Sequence, residues 1–375
     1  MPNSVRHAPP ASRAISVLLS LLVLAVPTGL AQSTIPSQLD DREFWNLVTS
    51  LSEDDGAFED ENYLSNELGY ERTMQRLQES VPPGGVFVGV GPEQNFHYAA
   101  ALRPAMVFVI DIRRQNAIEH LMYKALFELA EDRADFLSRL FSRPQPSALS
   151  ADADIGALFA SFATIASDRG LFDRTLASIE DALMNRHHWP LDTPDRTALR
   201  KVFSAFYDAG PSIMYVFRAT TQTHPTYAQM MTARDQAGRT WSFLGSRDAF
   251  ERVRDMERRN LIVPVVGDFA GPKAMKAVGA YVRSHGARIG AFYASNVETY
   301  LFSAGTSKRF YDNLQTLPIP DRAPIIRAFF AAVARDCTAQ RPTIRTPVIG
   351  DIRALLDAYG SGALKSTCDL VTLSR

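Results

Sequence analysis

The chain contains 375 residues, of which 46% are hydrophobic and 22% are charged. Its 40 basic and 41 acidic side chains nearly cancel, and no basic stretch is long enough to indicate nucleic-acid binding. Beyond the first 31 residues, no hydrophobic run reaches the length of a transmembrane helix. The length suffices to bury a large core, so a globular protein without membrane contact beyond its N-terminus is expected.

The N-terminus has the pattern of a secretory signal. Arg6 and Arg13 precede and open an apolar run over residues 14–26, which Pro27 ends. Gly29 and Ala31 are small residues of the kind that signal peptidase recognises. We predict that residues 1–31 are removed and that the mature protein is periplasmic or secreted. The alternative is an uncleaved membrane anchor, for which the run is short.

Residues 32–80 are acidic and polar. Short helices are predicted over residues 41–50 and 70–79, and the acidic cluster over residues 54–61 is predicted to be a solvated loop.

Residues 81–143 begin the predicted core. A Pro-Pro-Gly-Gly stretch over residues 82–85 precedes an apolar strand over residues 86–90. A loop over residues 91–95 leads into a short helix that ends near Arg103, and a second strand covers residues 106–110. This order of strand, glycine loop, helix and strand is the unit of a doubly wound sheet. One long helix is predicted over residues 115–141.

Residues 144–260 are predicted to be a mainly helical insertion, which starts with a Pro/Ser linker and contains one β-like stretch at residues 213–217. Residues 261–305 then form the second half of the core. Strands over residues 261–266 and 288–294 flank a helix, for which Pro272 is the predicted first residue. Two such crossovers predict an α/β fold: a doubly wound, mostly parallel, Rossmann-like sheet with a large helical insertion.

Residues 306–375 are predicted to be helical, with proline-rich joins. The chain has two cysteines, Cys337 and Cys368, and both lie in this segment. One disulfide and two free thiols are both consistent with the sequence.

The first strand ends in Gly89 and Gly91, and Asp111 follows twenty residues later at the end of the second strand. Glycines allow a ligand to approach the backbone, and the acid suits ribose hydroxyls. Gln94 replaces the third glycine of a dinucleotide fingerprint. Pro92 removes an N–H donor and Glu93 adds a negative charge, which disfavours pyrophosphate and suits S-adenosylmethionine better. The alternative is a tight turn, with Asp111 capping the next helix.

Asp268 and Asn296 end the two later strands, and Glu298 follows closely. Because ligands of open parallel sheets lie beyond the carboxyl ends of the strands, these residues should converge with Gly89 and Asp111 on one rim. Each residue alone is more typical of a turn or a helix cap.

Other chemistry has less support. His187 and His188 are adjacent, but no third ligand stands at metal spacing, so no metal site is predicted. Glu93 and His97 are interpreted as a surface pair. No Gly-x-Ser-x-Gly motif appears, so nucleophilic catalysis has no positive evidence. Arg113 is a candidate contact for an anionic substrate, or simply part of a solvated helix start.

Several segments resemble those of an uncharacterised bacterial family whose core is similar to the Rossmann fold of class I S-adenosylmethionine-dependent methyltransferases. They cover residues 64–67, 88–96, 111–116, 264–273 and 295–301. The chain departs from the methyltransferase pattern at Phe87, where an acid is expected, and at Glu93, where a third loop glycine is expected. No Asn/Asp-Pro-Pro-aromatic motif follows a strand.

The patterns and the resemblance together define the candidate site. The candidate cofactor-binding residues are Gly89, Gly91, Glu93 and Asp111. The candidate substrate-binding residues are Asn66, Glu67, Asn95, Arg113, Asp268, Asn296 and Glu298. The expected function is that of an exported small-molecule-binding protein with a methyltransferase-like core. The alternative is an S-adenosylmethionine-dependent methyltransferase of unknown substrate; the cofactor is otherwise unassigned.

Overall fold

The computed structural model describes residues 1–5, 34–58, 63–146, 150, 152–215, 224–329, 337 and 347–374. The predicted signal segment falls mainly on residues 6–33, outside the described residues, as do parts of the acidic loop and of the β-like stretch. Within the described ranges, no helix combines the length and apolar character that a membrane crossing requires.

A six-stranded sheet forms the centre of the fold. Its strands are β1 Val86–Gly89, β2 Met106–Asp111, β3 Ile262–Val266, β4 Ile289–Ser295, β5 Pro324–Arg327 and β6 Val348–Asp351. Their order is β3-β2-β1-β4-β5-β6, and all neighbours pair in parallel except β5 and β6, which are antiparallel. The prediction of an α/β fold with a mostly parallel sheet is confirmed.

Helices cover the sheet and build the insertion. In chain order they are α1 Asp41–Leu51, α2 Glu71–Ser80, α3 Gln94–Leu102, α4 Arg114–Leu129, α5 Arg133–Phe141, α6 Ile155–Ala163, α7 Arg169–Asp181, α8 Thr193–Ala209, α9 Tyr227–Thr232, α10 Arg247–Arg258, α11 Ala274–Ser284, α12 Val297–Ser303, α13 Ser307–Leu314, α14 Ile352–Gly360 and α15 Thr367–Thr372. A π-helical turn, Ala182–Arg186, follows α7, and a 3₁₀ turn, Gly210–Ser212, follows α8.

The strand order places one topological switch in the middle of the sheet. β1 lies between β2 and β4, so the chain leaves β1 in one direction and later returns to its other side. All residues of β1, β2 and β3 are buried, which explains their continuous apolar sequences. In sheets of this kind the crevice beyond the strand ends at the switch is where ligands bind.

The long helix predicted over residues 115–141 is in fact two helices. Ala130 has an extended conformation and ends α4, and the Asp132 side chain accepts hydrogen bonds from the N–H groups of Ala134 and Asp135 to start α5. The carboxylate satisfies the exposed donors of a new helix start, so the helix is interrupted even though the apolar spacing continues.

Two other local expectations were wrong. The C-terminal segment is not only helical, because it adds β5 and β6 to the sheet. Helix α11 begins at Ala274 rather than at Pro272. The β-like stretch over residues 213–217 lies only partly within the described residues, where Met214 makes an isolated antiparallel bridge to Thr226.

Cys337 and Cys368 form a disulfide, with their Cα atoms 5.0 Å apart. The structure therefore selects one of the two states that the sequence left open.

Candidate functional site

A cavity of about 380 Å³ lies beyond the carboxyl ends of β1, β2, β3 and β4. Its wall includes Gly91 after β1, Asp111 at the end of β2, Asp268 after β3 and Ser295 at the end of β4. The volume falls in the range of small-molecule pockets, and the position is the switch point of the sheet. The cavity is therefore the natural candidate site.

The predicted residues divide into two groups. Seven of them line the cavity: Asn66, Glu67, Gly91, Asp111, Arg113, Asp268 and Asn296. Four do not border it: Gly89, Glu93, Asn95 and Glu298. The second group has other contacts, which shape the rim.

Asn95 organises the glycine loop from inside the protein. Its amide nitrogen lies 3.0 Å from the carbonyl oxygens of both Val90 and Gly91 and 2.7 Å from that of Pro92. Its Oδ1 occupies the space beside Gly89, where an added Cβ would lie 1.9 Å from that oxygen. Gly89 is thus required for the packing of Asn95, whereas Gly91 supplies a positive φ of 75° at the cavity wall.

Two side chains of α4 also hold the Gly91 carbonyl. The Asn116 amide nitrogen lies 3.3 Å from that oxygen, and His120 Nε2 lies 2.9 Å from it. A carbonyl accepts, so His120 must carry its proton on Nε2. Burial lowers the pKa of His120 to about 4, which keeps the ring neutral. The loop therefore turns its carbonyl oxygens inward, away from any ligand.

Glu93 and His97 are both fully buried, so their interpretation as a surface pair was wrong. The Glu93 carboxyl group accepts a hydrogen bond from the Ser65 N–H at 3.0 Å. Burial raises the pKa of Glu93 to about 8, in spite of that hydrogen bond. Burial likewise lowers the pKa of His97 to about 3, and its Nδ1 accepts from the Phe243 N–H at 3.1 Å. Glu93 is a neutral interior group near pH 7 and contributes no charge to the cavity.

Asp111 and Arg113 form a buried ion pair in the cavity wall. Arg113 Nε lies 3.2 Å from Asp111 Oδ1, and the Arg113 N–H donates to the same oxygen at 2.9 Å. The Arg113 guanidinium also stands 5.7 Å from the centre of the Phe58 ring. Arg113 is therefore engaged with Asp111 and Phe58 and is not a solvated helix start.

Glu67 joins two distant segments at the cavity floor. Its Oε1 accepts a hydrogen bond from Ser295 Oγ, and its Oε2 accepts from Gln94 Nε2 at 3.1 Å. Gln94 Nε2 also lies 3.0 Å from the Tyr98 hydroxyl. Glu67 is only 2% exposed, so its carboxyl group is held in one orientation.

Glu298 points away from the cavity. It forms a buried ion pair with Arg327 of β5, and its Oε1 accepts a hydrogen bond from the Tyr311 hydroxyl at 2.9 Å. It ties α12 to the sheet and is not placed to contact a ligand.

The start of α11 is occupied by a carboxylate of the protein itself. Glu53 Oε1 accepts hydrogen bonds from the N–H groups of Lys273 and Ala274 at 2.8 and 2.7 Å, and Oε2 accepts from that of Asp268 at 3.3 Å. Helix N-termini of this kind bind anions, and here Glu53 fills that role. Asp268 itself accepts from the Ala270 N–H at 2.8 Å, which fixes the turn after β3.

The sequence reasoning missed the aromatic character of the cavity. Its wall includes five aromatic rings: Phe58, Tyr215, Phe269, Tyr293 and Tyr300. Phe269 directly follows Asp268, and Tyr300 lies two residues after Glu298; this proximity in sequence was the available signal. Tyr215 comes from the helical insertion, whose position over the sheet no local pattern reveals.

The charged side chains that line the cavity are three carboxyl groups, Glu67, Asp111 and Asp268, and the Arg113 guanidinium. This balance disfavours an anionic ligand.

Across the described ranges, no group of three or more His, Cys, Asp or Glu side chains has a metal-binding arrangement. His187 instead lies between Asp41 and Glu128, at 2.8 and 2.7 Å.

The fold places the chain among α/β proteins with a mostly parallel sheet. More particularly, it belongs to the family described as "Domain of unknown function (DUF7790)", whose model matches residues 63–151 and 168–341. These two ranges contain the five strands β1 to β5 and most of the cavity wall. No curated protein matches the chain.

Proposed function

We propose that the protein is an exported small-molecule-binding protein whose ligand occupies the cavity at the carboxyl ends of β1 to β4. The observation that carries this proposal is the convergence of seven predicted residues on one cavity of about 380 Å³ at the switch point of the sheet.

The ligand is a neutral or cationic molecule without phosphate. Glu53 already occupies the anion-binding start of α11, and Pro92 removes one N–H donor from the loop after β1. Phosphate groups would therefore find few free backbone donors. The aromatic rings and the three carboxyl groups suit an organic cation or a hydroxylated ring instead.

Export is supported by two independent features. The N-terminal sequence has the basic, apolar and small-residue regions of a signal. The Cys337–Cys368 disulfide is of a kind that persists mainly in oxidising compartments.

S-adenosylmethionine-dependent methyl transfer is the second candidate function. It is favoured by the positions of Gly91 and Asp111, which border the same cavity at the ends of adjacent strands, as the methyltransferase-like core implies. S-adenosylmethionine is also cationic and carries no phosphate, so it satisfies the charge balance of the cavity.

The test is calorimetric titration of residues 32–375 with S-adenosylmethionine, its demethylated product, adenosine and NAD. Saturable binding of the adenosyl ligands that is lost in Asp111→Ala, and kept in Asp248→Ala on the exposed face of α10, would support the second candidate. Binding of NAD alone would contradict the exclusion of phosphate.

A companion measurement addresses the binding function without a chosen probe. The protein is purified from its own compartment, and the ligand that accompanies it is identified by native mass spectrometry. If no small molecule accompanies the wild-type chain and no probe binds, the binding proposal is wrong.

A further inference from the structure

Ser295 has an unusual backbone conformation at the cavity wall. It ends β4, and α12 begins two residues later, so it stands on a sharp strand-to-helix turn. Its φ is +51°, a left-handed value that costs a non-glycine residue free energy. The other described non-glycine residues with positive φ are Arg103, Ser142, His188 and Asn260, and none of these borders the cavity.

The hydroxyl of this serine donates a hydrogen bond to the carboxyl group of Glu67, which is itself held in place. Ser295 Oγ donates to Glu67 Oε1, while Gln94 Nε2 holds the other oxygen of Glu67 at 3.1 Å. Gln94 is itself held, because its Oε1 accepts a hydrogen bond from Ser65 Oγ. Hydroxyl, carboxyl and positioning amide thus form a chain, which is the arrangement that an activated nucleophile requires.

An amide stands beside the hydroxyl. Asn296 Oδ1 lies 3.5 Å from Ser295 Oγ, and Asn296 also lines the cavity. This amide oxygen is a second, weaker acceptor for the Ser295 hydroxyl.

We propose that Ser295 is a nucleophile and Glu67 its general base, for acyl transfer from a small carboxylic ester bound in the cavity. Ser295 Oγ forms a bond to the ester carbonyl carbon, and its proton passes to Glu67. The bond to the alcohol oxygen then breaks, and the leaving alkoxide takes that proton from Glu67. A water molecule then attacks the acyl carbon and gives a proton to Glu67. The bond between the acyl carbon and Oγ breaks, and Oγ takes that proton back from Glu67. Ester and water are converted into acid and alcohol without another reactant.

This inference rests on the proposed ligand cavity and goes beyond binding, because it assigns the cavity a carboxylic ester as substrate. The strand-turn-helix position of Ser295 parallels the serine of hydrolase nucleophile turns, although the Gly-x-Ser-x-Gly sequence is replaced by Tyr-Ala-Ser-Asn-Val at residues 293–297.

The experiment treats residues 32–375 with a small alkyl fluorophosphonate. Oγ forms a bond to phosphorus, fluoride leaves, and the Oγ proton passes to Glu67. Intact-mass spectrometry follows the adduct, and peptide mapping of the wild-type protein locates it. We expect one adduct on Ser295, no such adduct in Ser295→Ala, and unchanged labelling in Ser303→Ala, whose hydroxyl is exposed on α12.

Glu67→Gln tests the base separately, because glutamine keeps an acceptor for Ser295 but cannot take its proton. The labelling rate should fall by roughly 10²–10⁴-fold. Unmodified Ser295 in folded wild-type protein, or an adduct only elsewhere, would overturn the proposal. A Glu67→Gln rate equal to that of wild type would overturn the role of Glu67. Ligand binding with no adduct would leave the proposed binding function intact and remove the nucleophile.

Discussion

The two crossovers of the sheet, β1–α3–β2 and β3–α11–β4, are both strand–helix–strand units but stabilise their strand-to-helix turns by opposite means. In the first, the Asn95 and Asn116 amides and the His120 imidazole hold backbone carbonyl oxygens from within. In the second, the Glu53 carboxylate holds backbone N–H groups from the outer side. One turn is held by donors and the other by an acceptor.

The difference shows how one topological unit can lose the phosphate site that it often carries. The first turn keeps its glycines, but Gly89 makes room for Asn95 and Gly91 provides a positive φ. The second turn keeps a helix start whose N–H donors could bind an anion, but the side chain of Glu53, more than 200 residues away in sequence, accepts their hydrogen bonds. Glycines and helix starts at the rim therefore do not by themselves identify a nucleotide site.

The largest expected effect is the pH dependence of the first turn. Burial raises the pKa of Glu93 from 4.5 to about 8. Because the pKa of Glu93 is higher in the folded state than in the unfolded state, the free energy of unfolding is greatest below pH 4.5 and falls as the pH rises to about 8. The wild-type protein should lose about 4 kcal/mol of unfolding free energy between pH 5 and pH 9, whereas Glu93→Gln lacks this loss. The difference between the variant and wild type should therefore change by that amount in favour of Glu93→Gln. Urea unfolding at several pH values measures this change in unfolding free energy, and Glu79→Gln, at an exposed position of α2, is the control. A constant difference across that range would contradict the assignment.

The second turn should lose stability when its carboxylate is removed. Glu53→Ala deprives the start of α11 of three hydrogen-bond acceptor contacts. We expect a loss of about 2–3 kcal/mol in unfolding free energy. Glu53→Gln should lose less because it keeps one acceptor oxygen, and exposed Asp54→Ala should lose almost nothing. Equal values for Glu53→Ala and Asp54→Ala would show that the cap is unimportant.

The packing of Gly89 against Asn95 can be tested by a double-mutant cycle. Gly89→Ala should cost about 2 kcal/mol, because the new Cβ would overlap Asn95 Oδ1. In an Asn95→Ala background the same substitution should cost clearly less, since the overlapping atom is gone. Additive losses in thermal unfolding would mean that Gly89 serves another purpose.

A smaller effect outside both turns provides a reference. Burial lowers the pKa of His187, but its hydrogen bond and charge interaction with Glu128, and then those with Asp41, raise it above 6.5 overall. The resulting stability is fully present below pH 6.5 and is lost as the pH rises through the folded-state pKa. His187→Gln should therefore be less stable than wild type at pH 6, by no more than about 1 kcal/mol, and should approach wild type at high pH. A deficit that grows with pH would contradict this sign.

The sequence predicted the first crossover nearly to the residue, because β1 and residues 106–110 of β2 form continuous apolar runs bounded by glycine and proline. It also predicted that Asp111, Asp268 and Asn296 share one rim, which follows from parallel strands ending at the same edge. It did not predict that Glu93 turns inward, because the side-chain direction at a loop depends on the partner, here the Ser65 N–H.

Other features depended on distant contacts. β5 and β6 have only four residues each, and no periodic pattern is visible over that length. The break before α5 depends on one capping residue, Asp132, inside a continuous apolar repeat. The Ser295–Glu67 contact joins residues 228 positions apart, and no motif connects them.

The antiparallel strand β6 is the outer edge of the sheet, and an open edge can pair with the edge of another molecule. Here the last described residue, Ser374, makes an antiparallel bridge to Gly350 of β6, and its hydroxyl accepts a hydrogen bond from Arg327 Nη1 at 3.1 Å. The segment after α15 thus covers the edge of β6 at Gly350. A purification tag fused directly after this point would start at this edge, so a tag placed away from the C-terminus is the safer choice for keeping the protein from aggregating.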